Sequence, residues 1–219
     1  MKHLGLALMT LLFAACTADN YDTGDGKYSY LRADFVEAHT VASGKIDYAI
    51  TDDGDSVSLN PVVSASWATK RDSIYRALLY YNKVGNPSDE AVGISRVPVL
   101  SYRQVTDKDT IHTDPLMFES AWISRNKKYF NIGFAIKTGK SDDTGTKQTI
   151  GMMCDSVVTN ADGTHDLFLR MVHNQNGVPE YYTSHGFVSV STHGITSGYT
   201  IHLSVNTYHG MVNKIYGLK

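Results

Sequence analysis

The chain of 219 residues carries 20 Lys and Arg against 22 Asp and Glu, a formal net charge of −2. That balance lacks the basic footprint of a nucleic-acid binder, and the length suits one large or two smaller domains, each with room for a hydrophobic core. Only two cysteines, Cys16 and Cys154, are present, so packing rather than cross-linking must hold the fold.

Met1-Lys2-His3 is a short basic start, and Leu4 to Ala14 is an apolar run shorter than the roughly 20 residues a spanning helix needs. Ala14 and Ala15 precede Cys16, so basic start, apolar run and small-residue cut site are all present, as in a secretory signal. Leu12-Phe13-Ala14-Ala15-Cys16 looks like a lipobox, whose thiol is acylated before the cut and then becomes the first residue. Each buried methylene of an acyl chain contributes about 0.8 kcal/mol, so two or three chains hold a protein on a membrane. Residues 1–15 are expected to be a lipoprotein signal peptide, Cys16 the lipid attachment and 16–27 a tether. Thr17 to Gly26 has three aspartates, two glycines and no aliphatic side chain larger than alanine, too little to order itself. With Cys16 acylated, Cys154 is the only thiol left and no internal disulfide forms.

Beyond the tether, apolar residues recur at every second position among 14 tyrosines, 7 phenylalanines and 18 glycines, which predicts sheet. Leu31, Ala33 and Phe35 alternate with Arg32 and Asp34 before Val36 and Ala38 take over, and such a phase slip predicts a bulge. Ile46, Tyr48 and Ile50 form the next face. Asp52-Asp53-Gly54-Asp55 turns the chain, Val57 and Leu59 return, and Asn60-Pro61 ends the hairpin. Ser73 to Val84 fits a helical stripe (Ile74, Ala77, Leu78, Tyr81) and a strand face (Tyr75, Ala77, Leu79, Tyr81), and aromatic richness favours the strand. Gly85 to Glu90 is a turn cluster, and Gly93 to Val105 is extended, with Pro98 marking an edge. Five short strands over residues 28–105 predict an OB-type five-stranded barrel, because closing a bent sheet removes its open edges.

Thr106 to Pro115 is polar, and residues 106–219 are expected to form a second domain. Phe130, Ile132, Phe134 and Ile136 alternate with Asn131, Gly133, Ala135 and Lys137, which predicts a half-buried strand with one thin or polar face. Ile150, Met152 and Cys154 make the next face, followed by Leu167, Leu169 and Met171. Asn174-Gln175-Asn176-Gly177 is the strongest hairpin signal. Phe187 to Ser191 and Tyr199 to Thr207 complete a set of one-sided strands, which bury their apolar faces by stacking as a β-sandwich. The fold class is all-β.

Asp114-Pro115-Leu116-Met117-Phe118-Glu119-Ser120-Ala121-Trp122-Ile123, with Tyr129 to Phe134, Leu169 to Asn174 and Gly186 to Ser189, resembles the NigD-like lipoproteins. The resemblance implies an N-terminal OB-type domain and a C-terminal β-sandwich on a bacterial outer-membrane lipoprotein. It also implies an association with a bacteriocin locus, and no established biochemical activity.

Six of the nine histidines lie between His165 and His209, and His185, His193 and His209 each precede a glycine. Zinc needs three or four converging ligands, so these three are the candidate metal ligands. None has a partner at the short spacing of a preformed site, and no metal or other cofactor is expected. His173 reads as a hydrogen-bonded core or rim residue and His202 as a surface one. Asp19, Asp22 and Asp25 stand three apart, unlike the alternate ligands of a calcium loop. No G-x-S-x-G, P-loop or dinucleotide fingerprint occurs, and Cys154, in line with Ile150 and Met152, reads as a packed thiol. Trp67, Tyr80, Tyr81, Tyr181 and Tyr182 are the candidate binding surface, as stacking platforms. Consecutive tyrosines in a strand point opposite ways, so one of each pair is expected in solvent.

These features predict a non-catalytic, lipid-anchored outer-membrane protein that serves as a binding or accessory module for a protein or glycan partner and takes no nucleic acid. The rival expectations are an envelope hydrolase, metal- or carboxylate-dependent, with its site between the two domains, and a structural or immunity-like role.

Overall fold

The computed structural model describes residues 31–83, 89–140, 145–195 and 197–218; Cys16, the expected signal peptide and the expected tether lie outside the described residues. Every helix or strand assigned among the described residues is a strand.

Strands β1 (Leu31–Ala42), β2 (Lys45–Thr51), β3 (Ser56–Ser64), β4 (Ile74–Asn82) and β5 (Glu90–Arg96) form one antiparallel sheet in the order β3-β2-β1-β4-β5. The sheet curls until its outer strands meet at a parallel bridge between Leu59 and Asp89, where the Asp89 N–H donates to the Ser58 carbonyl at 2.9 Å. The resulting ring, β1-β2-β3-β5-β4, is a partly open barrel of the OB type. Val36, Ala38, Ile46, Ala49, Leu79 and Tyr81 fill its interior, each fully buried.

Three local features differ from expectation. β1 pairs with β4 in unbroken register from Leu31 to His39, so the change of apolar phase at Val36 is not a bulge. The strand is apolar on both sides there: Val36 and Ala38 face the barrel, and Phe35 faces the second body of the protein. The pairing of β1 with β2 is irregular further on, at two places: Asp47 is skipped on β2 and Val41 on β1. Asp47, the extra residue on β2, shifts the inward set of that strand to Ile46, Ala49 and Thr51 and leaves Tyr48 and Ile50 half-buried. Pro61 does not end β3, which runs on to Ser64. Asn60-Pro61 falls where the partner of β2 jumps from Ser58 to Val63, outside the regular ladder and so free of the need for a proline N–H.

The second body holds β6 (Val99–Leu100), β7 (Tyr102–Gln104), β8 (Met117–Ile123), β9 (Tyr129–Thr138), β10 (Thr149–Thr159), β11 (His165–Asn174), β12 (Tyr182–Ser191), β13 (Tyr199–Thr207) and β14 (Gly210–Gly217). They make two sheets, β6-β12-β9-β8 and β14-β13-β11-β10-β7, stacked as a sandwich. Phe130, Ile132, Leu167, Leu169, Ile201 and Leu203 lie in the shared core, each at most 1% exposed. β6 and β7 precede residue 106, yet β6 pairs with β12 and β7 with β10, so this short stretch already belongs to the sandwich sheets.

Two expectations fail here for instructive reasons. Asn176 and Gly177 reverse the chain with φ of 49° and 69°, but the strands on either side, β11 and β12, sit in different sheets. Turn chemistry fixes a reversal, whereas the partner depends on which edges are open, and β10 and β13 already flank β11. β9 is buried on both faces rather than one, because Asn131 and Gly133 lie toward the barrel.

Candidate functional site

The barrel meets the sandwich through the outward faces of β1 and β4, which rest on the outer face of the four-stranded sheet. Arg76 of β4 is the centre of this seam, its side chain fully buried. Its Nη1 and Nη2 donate to the two oxygens of Asp52, each at 2.6 Å. Nη2 also donates to Asn131 Oδ1 at 3.2 Å, and Nε donates to Ser189 Oγ at 3.3 Å. The guanidinium stands 4.1 Å from the Tyr129 ring centroid and 5.3 Å from that of Phe35. A planar fork against a carboxylate, with two further N–H groups on fixed acceptors, offsets a charge that burial would otherwise make costly.

The rest of the seam is aromatic at the centre and charged at the flank. Phe35 meets Trp122 and Phe187 edge-on, at centroid distances of 5.3 and 5.2 Å. Glu37 accepts from Lys128 Nζ at 2.6 Å and from the Tyr129 hydroxyl at 2.9 Å. Burial, reinforced by Glu37, pushes the Tyr129 phenol up to about 12. Sequence reasoning saw Asp52 only as a turn residue and did not single out Arg76. The signal was there: one arginine stands on an otherwise apolar outward row, Ile74, Leu78 and Tyr80.

The five aromatic candidates do not form one surface. Tyr81 lies inside the barrel, fully buried, with its hydroxyl donating to Asp34 Oδ2 at 2.8 Å, so it is core and not binding surface. Burial and Asp34 push its phenol up to about 12. Its neighbour Tyr80 faces outward at 39% exposure, as strand alternation requires. Trp67 is half-buried on the barrel and meets Tyr75 edge-on, at 5.8 Å and 73°. Tyr181 and Tyr182 are both exposed, at 76% and 60%; Tyr181 precedes β12, where alternation no longer applies. They sit at the opposite end of β12 from Ser191 and the seam flank.

The three candidate metal ligands also stay apart. His185 Nδ1 donates to Glu119 Oε1 at 2.6 Å on the surface, and His193 and His209 are exposed in separate turns. Among the described residues no group of three or more His, Cys, Asp or Glu is placed to hold a metal. His173 is core, 1% exposed, with Nδ1 3.2 Å from the carbonyls of Asp114 and Pro115 and Nε2 2.7 Å from Gln148 Oε1. Cys154 is buried, and burial pushes its thiol up, away from the reactive thiolate.

Several clefts are open among the described residues: one of about 230 Å³ is lined by Arg103, His112, Ile150 and His173 among others, one of about 160 Å³ at the seam is lined by Asp34, Asp52, Asp53 and Trp122 among others, and two are larger. One, of about 490 Å³ at the flank of the seam, is lined by Glu37, Lys128, Tyr129, Thr192 and His193 among others. The only carboxylate lining it, Glu37, is already bonded to Lys128 and Tyr129. The other, of about 530 Å³, lies on the barrel and is lined by Trp67, Thr69, Lys70, Ser73, Ile74, Tyr75 and Arg96.

Among known proteins, the family model of the NigD-like C-terminal β-sandwich domain matches residues 98–216. No curated protein matches the chain. Among solved structures, a NigD-like immunity protein from Bacteroides caccae is similar over 86% of this chain and 97% of its own, at 17% identity and a TM-score of 0.64. A protein of unknown function from Bacteroides vulgatus is similar over 86% and 91%, at 16% identity and a TM-score of 0.65. A candidate lipoprotein from Bacteroides fragilis is similar over 85% and 96%, at 10% identity and a TM-score of 0.59. At these identities the structures speak for the fold, while the family model spans more than half of the sequence. The chain belongs to the NigD-like family.

Proposed function

We propose that this chain is a lipid-anchored accessory protein of the outer membrane that binds a protein or glycan partner without catalysing a reaction. The observation that carries the binding role is the adjacent pair Tyr181 and Tyr182, which stay 76% and 60% exposed at one end of the sandwich. Large aromatic rings with polar tips, held in water, are the residue type enriched where partners dock. A hydrolase would use groups between the two bodies, and there Asp52 is committed to Arg76, Asp34 accepts from the Tyr81 hydroxyl and Asp53 pairs with Arg125. The anchor rests on Leu12 to Cys16, and the likeness to a candidate lipoprotein supports it. The likeness to a protein described as an immunity protein favours, as a second reading, an immunity-like role against a protein partner at the membrane.

Palmitate labelling in cells tests the anchor: the wild type takes the label and Cys16→Ser does not, and equal labelling of both removes the anchor from the proposal. Cross-linking on intact membranes tests the surface. The wild type should trap a partner that the double variant Tyr181→Ser/Tyr182→Ser loses, and an unchanged adduct would rule this surface out.

A further inference from the structure

The connection between β3 and β4 folds back over one end of the barrel and is fixed by its backbone. The Ala65 N–H donates to the Gly44 carbonyl at 3.0 Å, the Gly44 N–H donates to the Ala68 carbonyl at 2.7 Å, and Thr40 Oγ1 donates to the Lys70 carbonyl at 2.7 Å. Trp67, Thr69, Lys70 and Ser73 are thereby held beside Tyr75 at the start of β4 and Arg96 at the end of β5, around the cleft of about 530 Å³. That size falls in the range of roughly 300–1,000 Å³ typical of small-ligand sites.

The chemistry of its walls is one-sided. Two cations, Lys70 and Arg96, line it and no aspartate or glutamate does, in a chain whose net charge is −2. The Tyr75 hydroxyl accepts the Lys70 N–H at 2.9 Å. That bond holds the pKa of the Tyr75 phenol below its usual value against the opposing effect of burial, and Thr69 and the charges of Lys70 and Arg96 add to it. The Trp67 and Tyr75 rings meet edge-on at 73°, are partly packed on the barrel core, and both line the cleft. The Thr69 and Ser73 hydroxyls complete the lining.

Aromatic walls take the C–H faces of a sugar, hydroxyls bond its hydroxyls, and a guanidinium with an ammonium takes a carboxylate or sulfate. An acidic peptide would use the cations and leave the rings without a matching flat surface. We propose that this cleft binds an acidic glycan, with Lys70 and Arg96 on its anionic group and Trp67 and Tyr75 against its ring. The proposal rests on the reading of this protein as a binding module and names the ligand class for one of its surfaces.

The test uses the full chain in detergent, titrated calorimetrically with polygalacturonate, dextran sulfate, neutral dextran and polyglutamate. Binding to polygalacturonate or dextran sulfate is expected, and the two arms tell carboxylate from sulfate. The double variant Lys70→Ala/Arg96→Ala, both exposed positions, should bind at least about tenfold more weakly with an unchanged unfolding midpoint. Trp67→Phe, which keeps an aromatic core contact, should weaken binding less. No binding of either acidic polysaccharide, unchanged binding by the double variant, equal binding of neutral dextran, or equal binding of polyglutamate would each overturn the proposal. Loss of the membrane partner by Tyr181→Ser/Tyr182→Ser is a separate outcome, so the binding-module reading survives a failure at this cleft.

Discussion

The two sheets of the sandwich turn similar outer faces to opposite fates. On the four-stranded sheet the outward positions include Asn131, Gly133 and Ser189, and all three are buried. On the five-stranded sheet the outward positions include Arg170, His202 and Ser204, which stay partly exposed, with Arg170 paired to Asp155 at 2.9 Å and His202 to Asp166 at 2.7 Å. The barrel covers the first face, and no element covers the second among the described residues. Alternation in a strand therefore reports which side is greasy, not whether the other side is wet. A polar face destined for burial differs in being small and mutually bonded: Ser189 Oγ donates to Asn131 Oδ1 at 2.7 Å, and both serve Arg76.

The comparison breaks most sharply at Arg76. Arg76→Ala leaves Asp52, 14% exposed, without its counter-charge, and loss of one partner of a buried pair costs about 3–5 kcal/mol. Denaturant unfolding measures it, and a loss below about 1 kcal/mol would mean that the seam is wet like the opposite sheet. Gly133→Ala comes next, because a Cβ there would stand 2.7 Å from Ser120 Oγ and 3.0 Å from Phe187; overpacking of this kind costs about 1–3 kcal/mol in the same assay. Tyr129 sharpens the contrast through pH. Its phenol is held at about 12, above the unfolded value of about 10, so its contribution is fully present below pH ~10 and is lost as pH rises to ~12. The unfolding midpoint of Tyr129→Phe should fall less steeply across that window than that of the wild type. On the five-stranded sheet, Arg170→Ala removes a pair that is 37% and 29% exposed, and its cost should stay below about 1 kcal/mol. A larger loss would show that this face too is covered.

Much of the architecture was legible because it depends on local chemistry. The alternation at Phe130–Ile136, Leu167–Met171 and Tyr199–Val205 marks sandwich core residues, and the turn at Asp52-Asp53-Gly54-Asp55 joins β2 to β3. The errors came where a second partner intervenes. The step from Phe35 to Val36 looks like a phase slip because the sandwich that Phe35 meets and the barrel that Val36 fills are both apolar. Asn174 to Gly177 has hairpin chemistry, yet the edges of β11 are taken. Tyr81 and Tyr80 could be told to differ, but not which one faces inward, since that depends on the register of β4 against β1. Arg76 is read from sequence only once its neighbours are known to face another body, and Lys70 and Arg96 meet only through the closure of the barrel.

The short passage from Val99 to Gln104 has a practical consequence. It gives one stretch to the rim of each sandwich sheet, like a rivet through two plates. A fragment begun at Thr106 would leave β10 and β12 with bare flanks, ready to recruit strands from other molecules. Anyone dissecting this protein should cut no later than Pro98, whose carbonyl accepts the Ser189 N–H at 2.9 Å.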